Sequence, residues 1–126
     1  MKLIRMLFGL TLIAASAVTA DAAVTIRTAP ANPPAGGVAR CLVANGGATL
    51  GSASMTLFSF SADVAVATNA DVPVGANQTG FGTEVSTNSS LGSNPSWCEC
   101  VVPNRMDFRC SYIVLDSGNV TVVPAQ

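Results

Sequence analysis

The chain has 126 residues, 49% of them hydrophobic and only 10% charged, a formal net charge of −1 and no histidine. That length allows one domain with a modest core. The few scattered cations exclude the basic stripe that a nucleic-acid binder or a polybasic membrane-surface site requires.

The first twenty residues are expected to be a signal peptide. Lys2 and Arg5 form a positive start, residues 6–18 are apolar but for Gly9, Thr11 and Ser16, and small residues follow at Ala20, Ala22 and Ala23. This is the pattern of a cleaved secretory leader, cut after Ala20 or after Ala22. The apolar run is shorter than the roughly 20 residues that span a bilayer, so a stable membrane anchor is not expected. Cleavage leaves residues 21–126 as a single domain, with Arg27, Arg40, Arg105 and Arg109 as its cations against seven acids, a net of −3. The expected compartment is the periplasm or the extracellular space.

Along that domain the signal is β throughout. Residues 24–28 form a first candidate strand, closed by a proline-rich bend at 29–34. Residues 38–44 form a second, ended by Asn45-Gly46-Gly47, which is strong turn chemistry. In a third, 55–61, Thr56, Phe58 and Phe60 share one face while Leu57, Ser59 and Ser61 share the other. Val64 and Val66 suggest a fourth. The stretch 75–94, rich in Gly, Ser, Thr and Asn, is the expected mobile loop, with 83–85 its one short strand. Residues 97–102 and 108–115 are β-branched or aromatic runs separated by Pro103-Asn104-Arg105, a hairpin signature. Asp116-Ser117-Gly118-Asn119 then turns into a last strand at 120–123. Outside the leader no segment has helical periodicity. The expected fold is all-β: a small immunoglobulin-like antiparallel β-sandwich of about 6–8 short strands.

The mature domain has only six aromatic residues, Phe58, Phe60, Phe81, Trp97, Phe108 and Tyr112. The core therefore leans on smaller side chains that supply less buried area each. Cross-links offset this, and four cysteines stand ready: Cys41, Cys98, Cys100 and Cys110. Three pairings exist. Cys98 and Cys100, two apart on a strand, point the same way. A three-residue hairpin loop sets Cys98 opposite Cys110, and a five-residue loop sets Cys100 opposite Cys110. A bridge within Cys98-Glu99-Cys100 is disfavoured, because side chains two apart on a strand run parallel.

Arg40-Cys41-Leu42-Val43-Ala44-Asn45-Gly46-Gly47 resembles the opening strand of small secreted bacterial β-sandwich proteins of unknown function. Trp97-Cys98 resembles their aromatic-Cys step, Arg109-Cys110 their Arg-small step, and Gly118 with Val123-Pro124-Ala125 their tail. The resemblance covers about two thirds of the chain, and the 75–94 stretch departs from it. It implies that Cys41 and Cys98 are the shared pair. Cys100 and Cys110 then replace an aromatic and a small residue, implying an added second bridge. The family brings no activity with it.

The chemistry inventory points away from catalysis. No His, and no Lys beyond the leader, leaves Ser or Cys nucleophiles without an ordinary base and excludes Schiff-base chemistry. A four-Cys zinc site wants two paired clusters, and one Cys-x-Cys with two outliers is not that pattern. Glu84, Glu99, Asp107 and Asp116 read as solvated acids, and a carboxylate enzyme would need two of them in one cleft. Asn69-Ala70-Asp71 with Asp63 lacks the six to eight oxygens of a calcium loop and reads as a turn. Trp97 is expected to pack in the core beside a disulfide, as in immunoglobulin-like domains, with a sugar-stacking role as the other reading. The expectation is thus an exported, disulfide-stabilised protein that is not an enzyme. It has no catalytic, cofactor or metal site and a binding or structural role toward a protein or glycan partner. The alternative is a secreted inhibitor that inserts the 75–94 loop into a hydrolase.

Overall fold

A computed structural model describes residues 22–60, 64–87, 91 and 94–125. The expected leader at 1–20, Asp63 and most of 88–93 lie outside the described residues. The domain is an antiparallel β-sandwich, as the strand pattern predicts. Its elements are β1 (Val24–Arg27), β2 (Val38–Asn45), β3 (Gly51–Ser59), β4 (Val64–Val74), β5 (Gln78–Phe81), β6 (Val85–Ser86), β7 (Ser96–Val102), β8 (Phe108–Asp116) and β9 (Asn119–Pro124). One sheet has the order β1-β7-β3-β4, and the other has β5-β2-β8-β9 with β6 also on β2.

The core lies between the sheets, on the faces that strict alternation selects. In β2 every second residue is buried (Ala39, Cys41, Val43, Asn45), and in β3 the buried set is Ala53, Met55, Leu57 and Ser59. The aromatic face of β3 is therefore the outer one. Strand β4 runs farther than Val64 and Val66 alone suggest. It reaches Val74 through two register irregularities opposite Ala53–Met55 and Leu57–Phe58.

The 75–94 stretch contains more regular structure than the single strand expected at 83–85. Strands β5 and β6 both pair with β2, Gly80 packs against Val74, and Leu91 and Thr87 are fully buried. Thr87 is tied to Gly37 by three hydrogen bonds. The Gly37 amide donates to its hydroxyl, while that hydroxyl and the Thr87 amide both donate to the Gly37 carbonyl. Glycine is required at position 37, since a Cβ there would meet the Leu115 carbonyl oxygen at 2.6 Å.

Strands β7 and β8 do not form the hairpin that Pro103-Asn104-Arg105 suggests. They belong to opposite sheets, joined by an arch at 103–107. Each has one fully inward face, Ser96, Cys98, Cys100 and Val102 on β7 and Phe108, Cys110, Tyr112 and Val114 on β8. Two such faces are best removed from water by covering one another, which side-by-side pairing in one sheet would not achieve. Side chains hold the arch. The Asn104 Oδ1 accepts from the Asp107 amide at 2.8 Å, and one guanidinium nitrogen of Arg109 donates to the carbonyls of Arg105, Met106 and Phe108.

The disulfides accordingly cross the sandwich. Cys41 of β2 is bonded to Cys98, and Cys100 to Cys110 of β8, with Cα separations of 5.6 and 6.0 Å. These are the two pairs implied by the family resemblance, but neither bridges neighbouring strands of one sheet. A five-residue connection puts Cys100 and Cys110 equally far from its midpoint whether it is a hairpin or an arch. A third tie joins β7 to the opposite sheet, a 2.6 Å hydrogen bond between the buried hydroxyls of Ser96 and Tyr112.

On loop-closure entropy, the Cys41–Cys98 bridge, spanning 57 residues, stabilises by about 4 kcal/mol, and the Cys100–Cys110 bridge, spanning 10, by about 3 kcal/mol. Paired alanine replacement followed by urea unfolding should therefore show the larger loss for C41A/C98A. Burial pushes the Tyr112 phenol above its ordinary value of 10.0, and the Ser96 hydrogen bond opposes this only in part. The folded state thus holds the phenolic proton more tightly than the unfolded chain. Its stabilising contribution is complete below about pH 10 and is lost as the pH rises toward the folded value. Melting temperatures should fall on the alkaline side. Tyr112→Phe should flatten that limb while costing about 1–3 kcal/mol at neutral pH for the Ser96 hydroxyl left unpaired.

Candidate functional site

The alternation that turns Cys98 and Cys100 inward turns Trp97 and Glu99 outward. Trp97 is therefore not a core residue beside the disulfide, as expected from its neighbour. It lies half-buried on the outer face of the β1-β7-β3-β4 sheet. The missed signal was in the sequence: two inward half-bridges on one strand place the residues beside and between them on the other face.

Trp97 stands directly opposite Phe58 in the β7–β3 register. The two rings stack with centroids 5.4 Å apart and planes 11° from parallel. Phe60, just past β3, meets Trp97 edge-on at 6.0 Å and 68°. Its amide donates to the Pro95 carbonyl at 2.8 Å, which fixes the ring's approach. Aromatic pairs of this kind contribute about 0.5–1.5 kcal/mol beyond burial, yet Phe60 remains 65% exposed.

On the other side of β7 the chain from β1 continues as a wall. Thr28 and Ala31 donate their amides to the carbonyls of Cys98 and Ser96, and the Cys98 amide donates to the Thr28 hydroxyl. Arg27 faces Glu99 across the pair and donates from Nε to its carboxylate at 2.7 Å. Exposed pairs contribute little to stability, about 0–1 kcal/mol, but this one sets a charged rim. Arg27, Thr28, Pro30, Phe60 and Trp97 line a shallow depression of about 240 Å³. It offers an indole and a phenyl surface beside a guanidinium and a carboxylate, all on backbone that is hydrogen-bonded in place. Such a surface can stack a flat apolar face and orient it by polar contacts at one edge.

A second depression, of about 210 Å³, lies by Ile26, Arg105, Phe108, Arg109, Cys110 and Ala125. Its arginines serve the fold: Arg109 secures the arch carbonyls and Arg105 donates to the Thr25 carbonyl at 3.1 Å.

The remaining candidates are dispersed. Cys98 and Cys100 each hold a different partner, so Cys98-Glu99-Cys100 carries two separate structural bridges. Glu99 pairs with Arg27, Glu84 with Arg40, Asp107 with the Asn104 side-chain amide in the arch, and Asp116 accepts from Ser117 in the β8–β9 turn. Asn69 uses its side-chain oxygen on the amide and hydroxyl of Thr83, and Asp71 sits in left-handed backbone at φ 52°. Within 75–94, β5 and β6 lie along β2. Among the described residues no helix is long and apolar enough to cross a membrane.

No family model and no curated protein matches the chain. Among solved structures it is similar to the crystal structure of Thermotoga maritima 1070, with a TM-score of 0.53 and 10% identity, over 84% of this chain and 95% of that one. It is also similar to the structure of infectious bursal disease virus Gx strain, with a TM-score of 0.43 and 20% identity, over 82% of this chain and 32% of that one. The first likeness concerns the fold alone, and the second carries no argument.

Proposed function

We propose that the protein is a non-catalytic exported domain that works by binding, with its ligand seated on the depression at Trp97. The observation that carries this reading is the Phe58–Trp97–Phe60 cluster left open on an outer sheet face, beside the Arg27–Glu99 rim. A structural module with no ligand has little use for three aromatics gathered on one outer sheet face. The ligand presents a flat apolar face with polar edges, as the sugar rings of a glycan do, or a proline or aromatic side chain on a protein. Two disulfides in so small a core suit an oxidising compartment, the periplasm or the extracellular space. The absence of histidine, and of lysine outside the leader, supports the non-catalytic reading, since a nucleophile here has no ordinary base.

The chain has a single tryptophan, so its fluorescence reports directly on the site. Titration with cello-, chito- and malto-oligosaccharides should shift or quench Trp97 emission in at least one series. Phe60→Ala should weaken that response by about tenfold or more, matching the loss of about 1–3 kcal/mol for a stacking contact. Should every series leave the emission unchanged, while wild-type and Trp97→Ala baits retain the same proteins from the native exported fraction, the aromatic face is not the binding site.

A further inference from the structure

We propose that the free edge of β9 is a self-association surface, on which a second copy of this chain pairs its own β9 antiparallel about a two-fold axis through Thr121.

Among the described residues the two sheets have four edges, and three are blunted. Strand β1 has four residues, and its continuation is bridged to the far sheet at Thr28–Ala125. Strand β4 carries two register irregularities, left-handed Asp71 and Pro73. Strands β5 and β6 have four and two residues. Such devices are how sheet proteins prevent edge-to-edge pairing. Strand β9, Asn119–Pro124, has six residues, pairs with β8 without irregularity and contains no charged side chain. Val120 and Val122 are 62% and 54% exposed.

The hairpin turn settles which backbone groups are open. Ser117 and Gly118, both left-handed at φ 46° and 88°, form a two-residue turn, so Asp116 and Asn119 are a hydrogen-bonded pair. Alternation then directs the amides and carbonyls of Thr121 and Val123 toward β8. The Ala125 amide, donating to the Cys110 carbonyl at 3.0 Å, continues that series. The amides and carbonyls of Val120 and Val122 consequently point away from the sheet. Pro124 falls on the outward series, where a missing N–H breaks no ladder bond.

These open groups are self-complementary. With the axis through Thr121, Val120 of one copy faces Val122 of the other, and each pair exchanges both of its hydrogen bonds. The four valines meet on one face, and no like charges oppose. The window ends at Val123 against Asn119 of the second copy, short of the Thr28–Ala125 bridge that closes the edge. Pairing at one strand edge covers less than the roughly 1,200 Å² of a standard interface, so the dimer is weak and depends on concentration.

Sedimentation velocity of the whole domain from about 10 μM to about 1 mM, the range where weak edge interfaces populate, should show a monomer giving way to a dimer. Val122→Pro removes an outward amide and no β8 bond, so it should stay folded by circular dichroism and remain monomeric. Val122→Lys should do the same by charge. Thr121→Cys should cross-link to itself on oxidation, because residues facing across the axis in a non-hydrogen-bonded pair have Cα atoms about 4.5 Å apart. Trp97→Ala, on the other sheet, should leave the association unchanged, which separates this result from the ligand site. A wild-type protein that stays monomeric throughout overturns the proposal. So does a dimer that survives in both Val122 variants, or a Thr121→Cys protein that does not cross-link.

Discussion

The inward face of β7 is the constraint on which the rest of the sandwich depends. Three consecutive inward residues, Ser96, Cys98 and Cys100, are each bonded to the opposite sheet, through Tyr112, Cys41 and Cys110. Hydrophobic contact between sheets is non-directional and tolerates sliding. A core of Val, Ile, Leu, Met and Ala with one buried phenylalanine and one buried tyrosine would by itself hold the sheets together more firmly than it holds them in register. Two covalent ties on adjacent inward positions, reaching the neighbouring strands β2 and β8, prevent both sliding and pivoting. The outward face of the same strand inherits that rigidity, so Trp97 and Glu99 are presented at fixed positions.

What was legible in the sequence was local. The Asp116-Ser117-Gly118-Asn119 turn, the ends of β2 and β8 to within one residue, and the two faces of β3 follow from φ preferences and a period of two. Sheet membership was not legible, because alternation reveals which side of a strand is apolar and nothing about which strand lies beside it. Only β3–β4 and β8–β9 pair with a chain neighbour; the other connections lead across the sandwich or along β2. Pro103-Asn104-Arg105 therefore reads as a hairpin loop and folds as an arch. Gln78–Phe81 fails for a different reason. Thr79 and Phe81 favour strands, but Gly80 interrupts a run of only four residues, which is held by β2 and by the fit of Gly80 under Val74.

Part of the candidate site was within reach of the sequence. Trp97 was marked by being the only tryptophan, but the adjacent cysteine drew it toward the core. Phe58 and Phe60 were placed on a common face without an indication that this face was the outer one. The wall at Thr28 and Pro30 could not be foreseen, since it exists through hydrogen bonds to a strand some seventy residues away.

The equivalence of Cys98 and Cys100 has a consequence for how the domain matures. A slip of two residues leaves every β7 side chain on its original face. Oxidation of a partly formed sandwich can therefore join Cys100 to Cys41 while the strand still buries its apolar side. What that isomer loses is the second bridge, since Cys98 then stands opposite Tyr112 and Val102 opposite Cys110, together with the meeting of Ser96 with Tyr112. Both losses favour the native register, and together they give thiol exchange a reason to move the bridges toward the native set.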